Sequence, residues 1–561
     1  MNAKPFFIAL CIASLSACAQ SPGPAAAQTT QPVSALDQGT MFQILLAEIA
    51  AQRNDSALAA EAYADLAKKF RDPRLARRAA ELAGQARLLK LRLTMLRLGV
   101  ELEPDSPRPL QWLISQLVSA GQLTEAQPWI ESLLRLEGRS PAETFAHLHV
   151  LLSRHKDKVA VLELVRALAA SYPKVPEARL AEAMAARDAN RPEAALAALD
   201  AALRLRPDWE QVALLRGEIS ATRDPAGALA FWREFLVAHP GANTVRLALA
   251  KALARAERYA EARTEFERLR EATPGNPEPA FAIGLLAMRL NEPDTAEASL
   301  RAALELGHPN EDLVRFYLGQ VEEERKRHEN ALRWYREVAG GERAFEAQLK
   351  VALMLGRLGR VDEARTHLAG LEPTDVDART QLIQVEAQVL REAGALETAY
   401  AVLSEGLAAM PESPELLYDR AMVAERLGRL DVLETDLRLL LRLQPDNAHA
   451  YNALGYTLAD RSKRLDEAYT LLRTAIGLAP EDPFIQDSMG WVLFKLGRLQ
   501  EAIDYLRRAH AARPDPEIAA HLGEALWQNG QREEAKRVWQ RAREANPDND
   551  VLNETLARLL P

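Results

Sequence analysis

Residues 483–514 read PFIQDSMGWVLFKLGRLQEAIDYLRRAHAARP. Two stretches of helical periodicity lie inside them, predicted at about 484–496 and 500–512, with a polar turn at Gly497-Arg498 between them. Leu493 and Leu496 space one apolar face; Ala502, Leu506 and Ala509 space the other. Proline at each end cannot donate a backbone hydrogen bond and so marks where one pair of helices stops and the next begins. The stretch therefore predicts a helical hairpin, and neither of its helices can hide an apolar face without a neighbour.

The neighbours have the same design. Pro411, Pro445, Pro480, Pro514 and Pro547 recur at 33–35 residues, as do Pro173, Pro207, Pro240 and Pro274 further back. Ala228, Ala262 and Ala296 keep the same period, as do Ala468, Ala502 and Ala535, and a third ladder consists of Gly455, Gly490 and Gly523. A Gly or Ala inside a helix lets its partner approach closely. Large residues such as Trp232, Phe266, Tyr335, Leu506 and Trp539 would then fill the wedges between hairpins. Fixed self-similarity at this period signals a stacked array of one supersecondary unit.

The period, the Leu454-Gly455 and Leu522-Gly523 pairs, the Ala opening each second helix, the later Ala475, Ala509 and Ala542, and the closing Pro resemble the tetratricopeptide repeat. Residues 451–549 are the sharpest part and resemble repeats of bacterial envelope lipoproteins. The pattern fades around Gly340-Gly341 and towards the N-terminus. The resemblance implies an all-α, right-handed superhelical solenoid of tetratricopeptide hairpins, about fifteen of them, whose first helices line a concave surface that takes an extended peptide or a helix. Mapping the family's inward positions onto the clearest repeats gives a partner-binding groove of Asn452, Tyr456, Asp487, Trp491, Lys495, Glu524 and Trp527. Packing between repeats is the competing explanation, above all for Trp491 and Trp527, and Trp232, Trp334 and Trp539 are expected in the core.

At the other end, Lys4 followed by the apolar run 6–13 reads as a secretory signal too short to remain as a membrane span. Leu15-Ser16-Ala17-Cys18 resembles the bacterial lipoprotein box, which implies lipidation of Cys18, and Ala19 in place of Asp favours the outer membrane by the same resemblance. Residues 19–40, rich in Pro, Gln, Ala and Thr, read as a tether. The expected organisation is a signal at 1–17, lipidated Cys and tether at 18–40, degenerate helical repeats at 41–140, central repeats at 141–375, well-formed repeats at 376–548 and a capping helix at 549–561.

Composition narrows the function classes. A length of 561 residues exceeds what one core serves, about 250–300 residues, so domains or an array are required. Only Cys11 and Cys18 are present, so no disulfide framework exists. His147 and His149 point to different helix faces, and no metal, phosphate-loop or nucleophile motif occurs, so neither an enzyme nor a bound cofactor is expected. The net charge is −9, yet residues 68–97 hold ten basic and two acidic side chains. Within that block Arg71, Arg74, Arg77, Arg78, Arg87 and Lys90 form a candidate basic patch for anionic head groups or an acidic partner; a solvated face paired with nearby acids is the alternative. Nucleic acid fits neither the net charge nor the secretion signal.

These readings converge on a lipid-anchored scaffold at the periplasmic face of the outer membrane. It would bind envelope proteins through its concave surface and help assemble or localise an envelope complex. The alternative is a glycan- or lipid-binding subunit of a polysaccharide-export or cell-wall machine that uses Trp491 and Trp527 as a sugar platform.

Overall fold

The computed structural model describes residues 37–136 and 138–560. The signal, Cys18 and nearly all of the tether lie outside the described residues. Among the described residues there are 31 helices and no strand, and no helix is long and apolar enough to cross a membrane. The chain falls into two compact units, one up to residue 235 and one from residue 236 onward.

The first eleven helices are α1 (Gln38–Gln52), α2 (Ser56–Phe70), α3 (Pro73–Gln85), α4 (Leu89–Leu102), α5 (Pro107–Ser119), α6 (Leu123–Leu134), α7 (Pro141–Leu152), α8 (Lys158–Ala170), α9 (Pro176–Asp188), α10 (Pro192–Leu205) and α11 (Glu210–Ala221). The unit boundary falls inside α12 (Pro225–Ala238). It thus splits what reads in sequence as one central set of repeats, and Trp232 of α12 packs back onto Gly217 of α11.

Then come α13 (Asn243–Arg255), α14 (Tyr259–Ala272), α15 (Pro277–Arg289), α16 (Pro293–Glu305), α17 (Glu311–Glu324), α18 (His328–Arg336), α19 (Ala344–Arg357), α20 (Val361–Ala369), α21 (Val376–Glu392) and α22 (Leu396–Ala409). The series closes with α23 (Pro414–Arg426), α24 (Leu430–Leu443), α25 (Ala448–Asp460), α26 (Leu465–Leu478), α27 (Pro483–Lys495), α28 (Leu499–Ala512), α29 (Pro516–Gln528), α30 (Arg532–Ala545) and α31 (Asp550–Leu559).

Local chemistry sets these boundaries. Asp482 caps α27 by accepting from the backbone N–H groups of Phe484 and Ile485 at 2.9 and 3.0 Å, with Pro483 at the first helical position, where its missing donor costs nothing. Gly497, at φ +77°, makes the left-handed turn into α28. At the N-terminus, Asp37 accepts from the N–H of Thr40 at 2.7 Å and starts α1 at Gln38. Residues 38–40, read in sequence as the end of the tether, are therefore helical, because an N-cap Asp offsets their lack of apolar periodicity.

Hairpins close through a small residue on the first helix under a large one on the second. A Cβ added to Gly523 would lie 2.0 Å from Nε1 of Trp539, and one on Gly490 would lie 2.5 Å from Cγ of Leu506. The Trp539 indole donates to the carbonyl of Ala520 at 3.3 Å, as Trp232 does to Ala213 at 3.2 Å. Trp334, expected in the core, is only half-buried under Arg301; its neighbour Tyr335 takes the core position over Gly319.

In the second unit first helices also approach one another across repeats, at α15–α17, α19–α21, α21–α23, α25–α27, α27–α29 and α29–α31. These helices form the inner layer. Residues one repeat period apart consequently meet on that face.

Candidate functional site on the inner helices

The predicted groove residues lie on the inner layer of α25–α31, and most are already occupied. In α27 every residue from Ile485 to Phe494 is buried, and in α29 every residue from Ile518 to Leu526. The centre of this packing is His521, which sequence reasoning passed over. Its Nδ1 is 3.0 Å from the Asp487 carboxylate, and its ring stacks on Trp491 with centroids 4.1 Å apart. Tyr456 reaches across from α25, its hydroxyl donating to Glu517 at 3.1 Å and its ring 6.2 Å from His521. Lys495 sits 4.4 Å over the Trp491 ring.

The remaining three groove residues lie outside this cluster. Glu524 is buried and takes two hydrogen bonds from Arg558 of α31, at 2.8 and 2.5 Å. Trp527 packs at 5.8 Å on Trp539 inside its own hairpin, under Arg532. Asn452 is half-buried, with its Oδ1 enclosed and without a hydrogen-bond partner. Asp487, Trp491 and Glu524 therefore face neighbouring repeats in this structure, where the family mapping had them facing a ligand. The readable signal was spacing: Asp487 and His521 are 34 residues apart, as are Glu524 and Arg558. Burial pushes the His521 imidazole down, but Asp487 outweighs it and the net shift is upward. Burial and the Glu517 carboxylate raise the Tyr456 phenol.

Open space lies earlier on the same layer. A cavity of about 820 Å³ is bordered by Arg289 of α15, Tyr317, Gln320 and Glu323 of α17, and Lys350 of α19. A second, of about 340 Å³, is lined by Lys350, Gln381, Gln384, Gln388, Arg391 and Asp419. A third, of about 310 Å³, runs from Gln384, Tyr418 and Asp419 to Asn447 and His449. Lys350 borders the first two, and Gln384 with Asp419 borders the last two, so the three adjoin one another in a run from α15 to α25.

Its electrostatics are mixed. Burial opposes ionisation of Glu323, but Tyr335 at 2.8 Å, Lys350 at 3.1 Å and Arg357 at 2.9 Å hold its carboxyl below the usual range. Asp419 goes the other way: burial pushes it up although Gln384 donates to it at 2.8 Å. Arg289 and Arg391 have no carboxylate within ion-pair distance among the described residues. The run thus offers amides, cations and a carboxyl whose ionisation burial opposes, groups suited to pairing with a polypeptide backbone and its charged side chains.

The basic patch is partly neutralised. Arg71 pairs with Glu101 at 2.5 Å, Arg74 with Asp72 at 2.6 Å and Arg78 with Glu81 at 3.5 Å. Arg77, Arg87 and Lys90 are exposed and make no ion pair among the described residues.

Among solved structures, the chain is similar to a tetratricopeptide repeat protein from Parabacteroides merdae (17% identity, 51% of this chain and 99% of that one, TM-score 0.34). Another is a tetratricopeptide protein of Thermus thermophilus (22%, 38% and 98%, TM-score 0.28). A curated relative, a TPR repeat-containing protein of Pseudomonas aeruginosa, is 35% identical over 198 residues, 35% of this chain. The chain spans about a third (34%) of that relative's length. A tetratricopeptide repeat family model matches residues 159–209, 220–277, 281–345 and 434–483, and a second of the same description matches 493–559. Together these segments take in just over half of the residues, and the chain belongs to the tetratricopeptide repeat family.

Proposed function

We propose that this chain is a non-enzymatic scaffold, lipid-anchored through Cys18 at the periplasmic face of the outer membrane, that gathers envelope proteins into a complex. Tetratricopeptide repeats are protein-interaction scaffolds, and the series of adjoining cavities along α15–α25 carries the reading. An extended segment of a partner lies there, its backbone paired with Gln320, Gln381 and Gln388 and its carboxylates with Arg289 and Arg391. Anchoring confines the scaffold to a surface and raises the effective concentration of whatever it holds. The sugar-platform alternative loses its main support, because Trp491 is buried against His521 and Phe494.

Affinity capture from solubilised envelopes tests the groove. Gln320→Ala, Gln381→Ala and Arg391→Ala together remove three lining side chains, and the variant is expected to lose a specific partner with its helical circular dichroism unchanged. An unchanged set of partners overturns the assignment. Cys18→Ser is expected to move the chain out of the membrane fraction, and continued membrane fractionation contradicts the anchor.

A further inference from the structure

Helix α1 turns part of its apolar surface outward. Ala47, Ala50 and Thr40 are buried, and Ile44 and Leu46 pack partly buried against the core, while four other large apolar side chains are exposed. Met41, Phe42, Leu45 and Ile49 are 51%, 65%, 54% and 47% exposed. At 100° per residue these four fall within a stripe about 100° wide, and the buried Ala47 and Ala50 lie on the other side of the helix. A terminal helix of a repeat array ordinarily presents a polar outer face, which keeps the array soluble. Here four large apolar side chains stand on that face, with exposed Gln38 and Gln52 at its ends and Glu48 at its edge.

The surroundings say what kind of surface would cover it. Lys69 of α2 donates to Asp37 at 3.1 Å and to the Thr40 hydroxyl at 2.6 Å, which ties the end of α2 to the start of α1, and the next residue, Phe70, is half-exposed. Of the ten basic side chains from Lys68 to Arg97, six are already paired with carboxylates, while Arg77, Arg87 and Lys90 are exposed and unpaired among the described residues. An anionic bilayer would compensate them while its acyl region received the apolar side chains.

We propose that α1 is an interfacial membrane-binding helix: Met41, Phe42, Leu45 and Ile49 enter the headgroup boundary of an anionic lipid surface, and the unpaired Arg77, Arg87 and Lys90 of the segment that follows meet its phosphates. The proposal deepens the reading of a membrane-bound scaffold and rests on it for location only. Residues 19–36 separate Cys18 from Asp37, a reach of at most about 60 Å, so an anchored chain keeps α1 within range of the bilayer. Two weak signals then act together, a lipid chain and an apolar, basic surface, as stable anchoring generally needs.

The test uses the chain from residue 19 onward, which keeps every described residue and lacks both the signal and Cys18. It is sedimented with vesicles of phosphatidylethanolamine containing roughly one third phosphatidylglycerol. Binding is expected, weakened by salt and by replacing the anionic lipid with phosphatidylcholine. Phe42→Glu with Leu45→Glu should lower the bound fraction about tenfold and leave the thermal midpoint unchanged, since both side chains are exposed. Undiminished binding by that variant, no binding by the parent chain, or a lipid-free dimer that the same substitutions dissociate would each overturn the proposal. Failure of the anchor is read separately, from Cys18→Ser in cells, so the two ideas fall independently.

Discussion

In α27 ten consecutive residues, Ile485 to Phe494, are buried, whereas in α21 Gln381, Gln384 and Gln388 line open cavities. Both helices belong to the inner layer of the same unit. The difference lies in what stands at the inward positions. Tyr456, Trp491 and His521 are large and flat and fill the space between successive first helices; Gln320, Lys350, Gln384 and Asp419 do not. The outer layer differs too: α18 and α20 have nine residues each, against fourteen in α26 and α28. No matched repeat segment covers residues 346–433, which hold α21 and α23 and much of the cavity wall. The two smaller cavities lie mostly in this unmatched stretch, whereas the largest is bordered chiefly by residues of the matched segment 281–345, so it is the inward side chains and not adherence to the repeat signature that separate the open region from the self-packed end.

The strongest way to break that contrast is to remove Trp539, fully buried over Gly523. Trp539→Ala should cost about 4 kcal/mol, felt first in α29–α31 because stability in a repeat array passes between nearest neighbours. Hydrogen exchange in denaturant would show these helices opening before α15–α23. If all helices opened together, the closed end would not be a separately packed element.

Next comes the buried pair at its centre. Asp487→Asn leaves His521 without its carboxylate and should cost about 3 kcal/mol. The pH dependence follows from the upward shift at His521. A group whose folded value is raised stabilises fully below its ordinary value of 6.5, and that stability is lost as pH rises through the folded value. The thermal stability of α25–α31 should therefore fall on the alkaline side, and the dependence should flatten in Asp487→Asn. An unaltered profile in the variant would remove His521 from the account.

The open region should respond in the other direction. Burial raises the Asp419 carboxyl, so ionisation there opposes folding at neutral pH. Asp419→Asn should leave stability unchanged or raise it by up to about 1 kcal/mol, while weakening capture of a groove partner. A large loss of stability would mean that this carboxyl is structural, like Asp487, and the two regions would then be alike.

The two regions also differ in how far they could be read. Hairpins and their order were legible because glycines such as Gly490 and Gly523, and the prolines that end each repeat, answer directly to steric limits on helix approach and chain direction. The occupied inner face was half legible. Tyr456, Asp487 and Trp491 do cluster, with Lys495 over Trp491, but the partner the first three share, His521, was missed. Complementary groups one period apart, such as Glu323 with Arg357 or Asp487 with His521, are the signal that finds such contacts. The cavities were not legible, because Gln320, Gln384 and Asp419 stand where the repeat pattern imposes no packing requirement.

The smallest expected effect tests whether the outer layer contributes to the contrast. Glu434 of α24 accepts from Arg464 at 2.9 Å and from Arg438 at 2.9 Å, and these bonds hold its carboxyl at about 2. A lowered carboxylate stabilises above its ordinary value of 4.5 and loses that contribution as pH falls towards 2. The side chain is 28% exposed, so solvent screens the pair and Glu434→Gln should cost less than about 1 kcal/mol at neutral pH. The cost should shrink further in acid, where the parent chain has lost the same contribution. A measured loss above about 2 kcal/mol would exceed what an exposed pair supplies. Outer-layer charge would then be holding α24 to α26, and the closed end could not be attributed to its inner face alone.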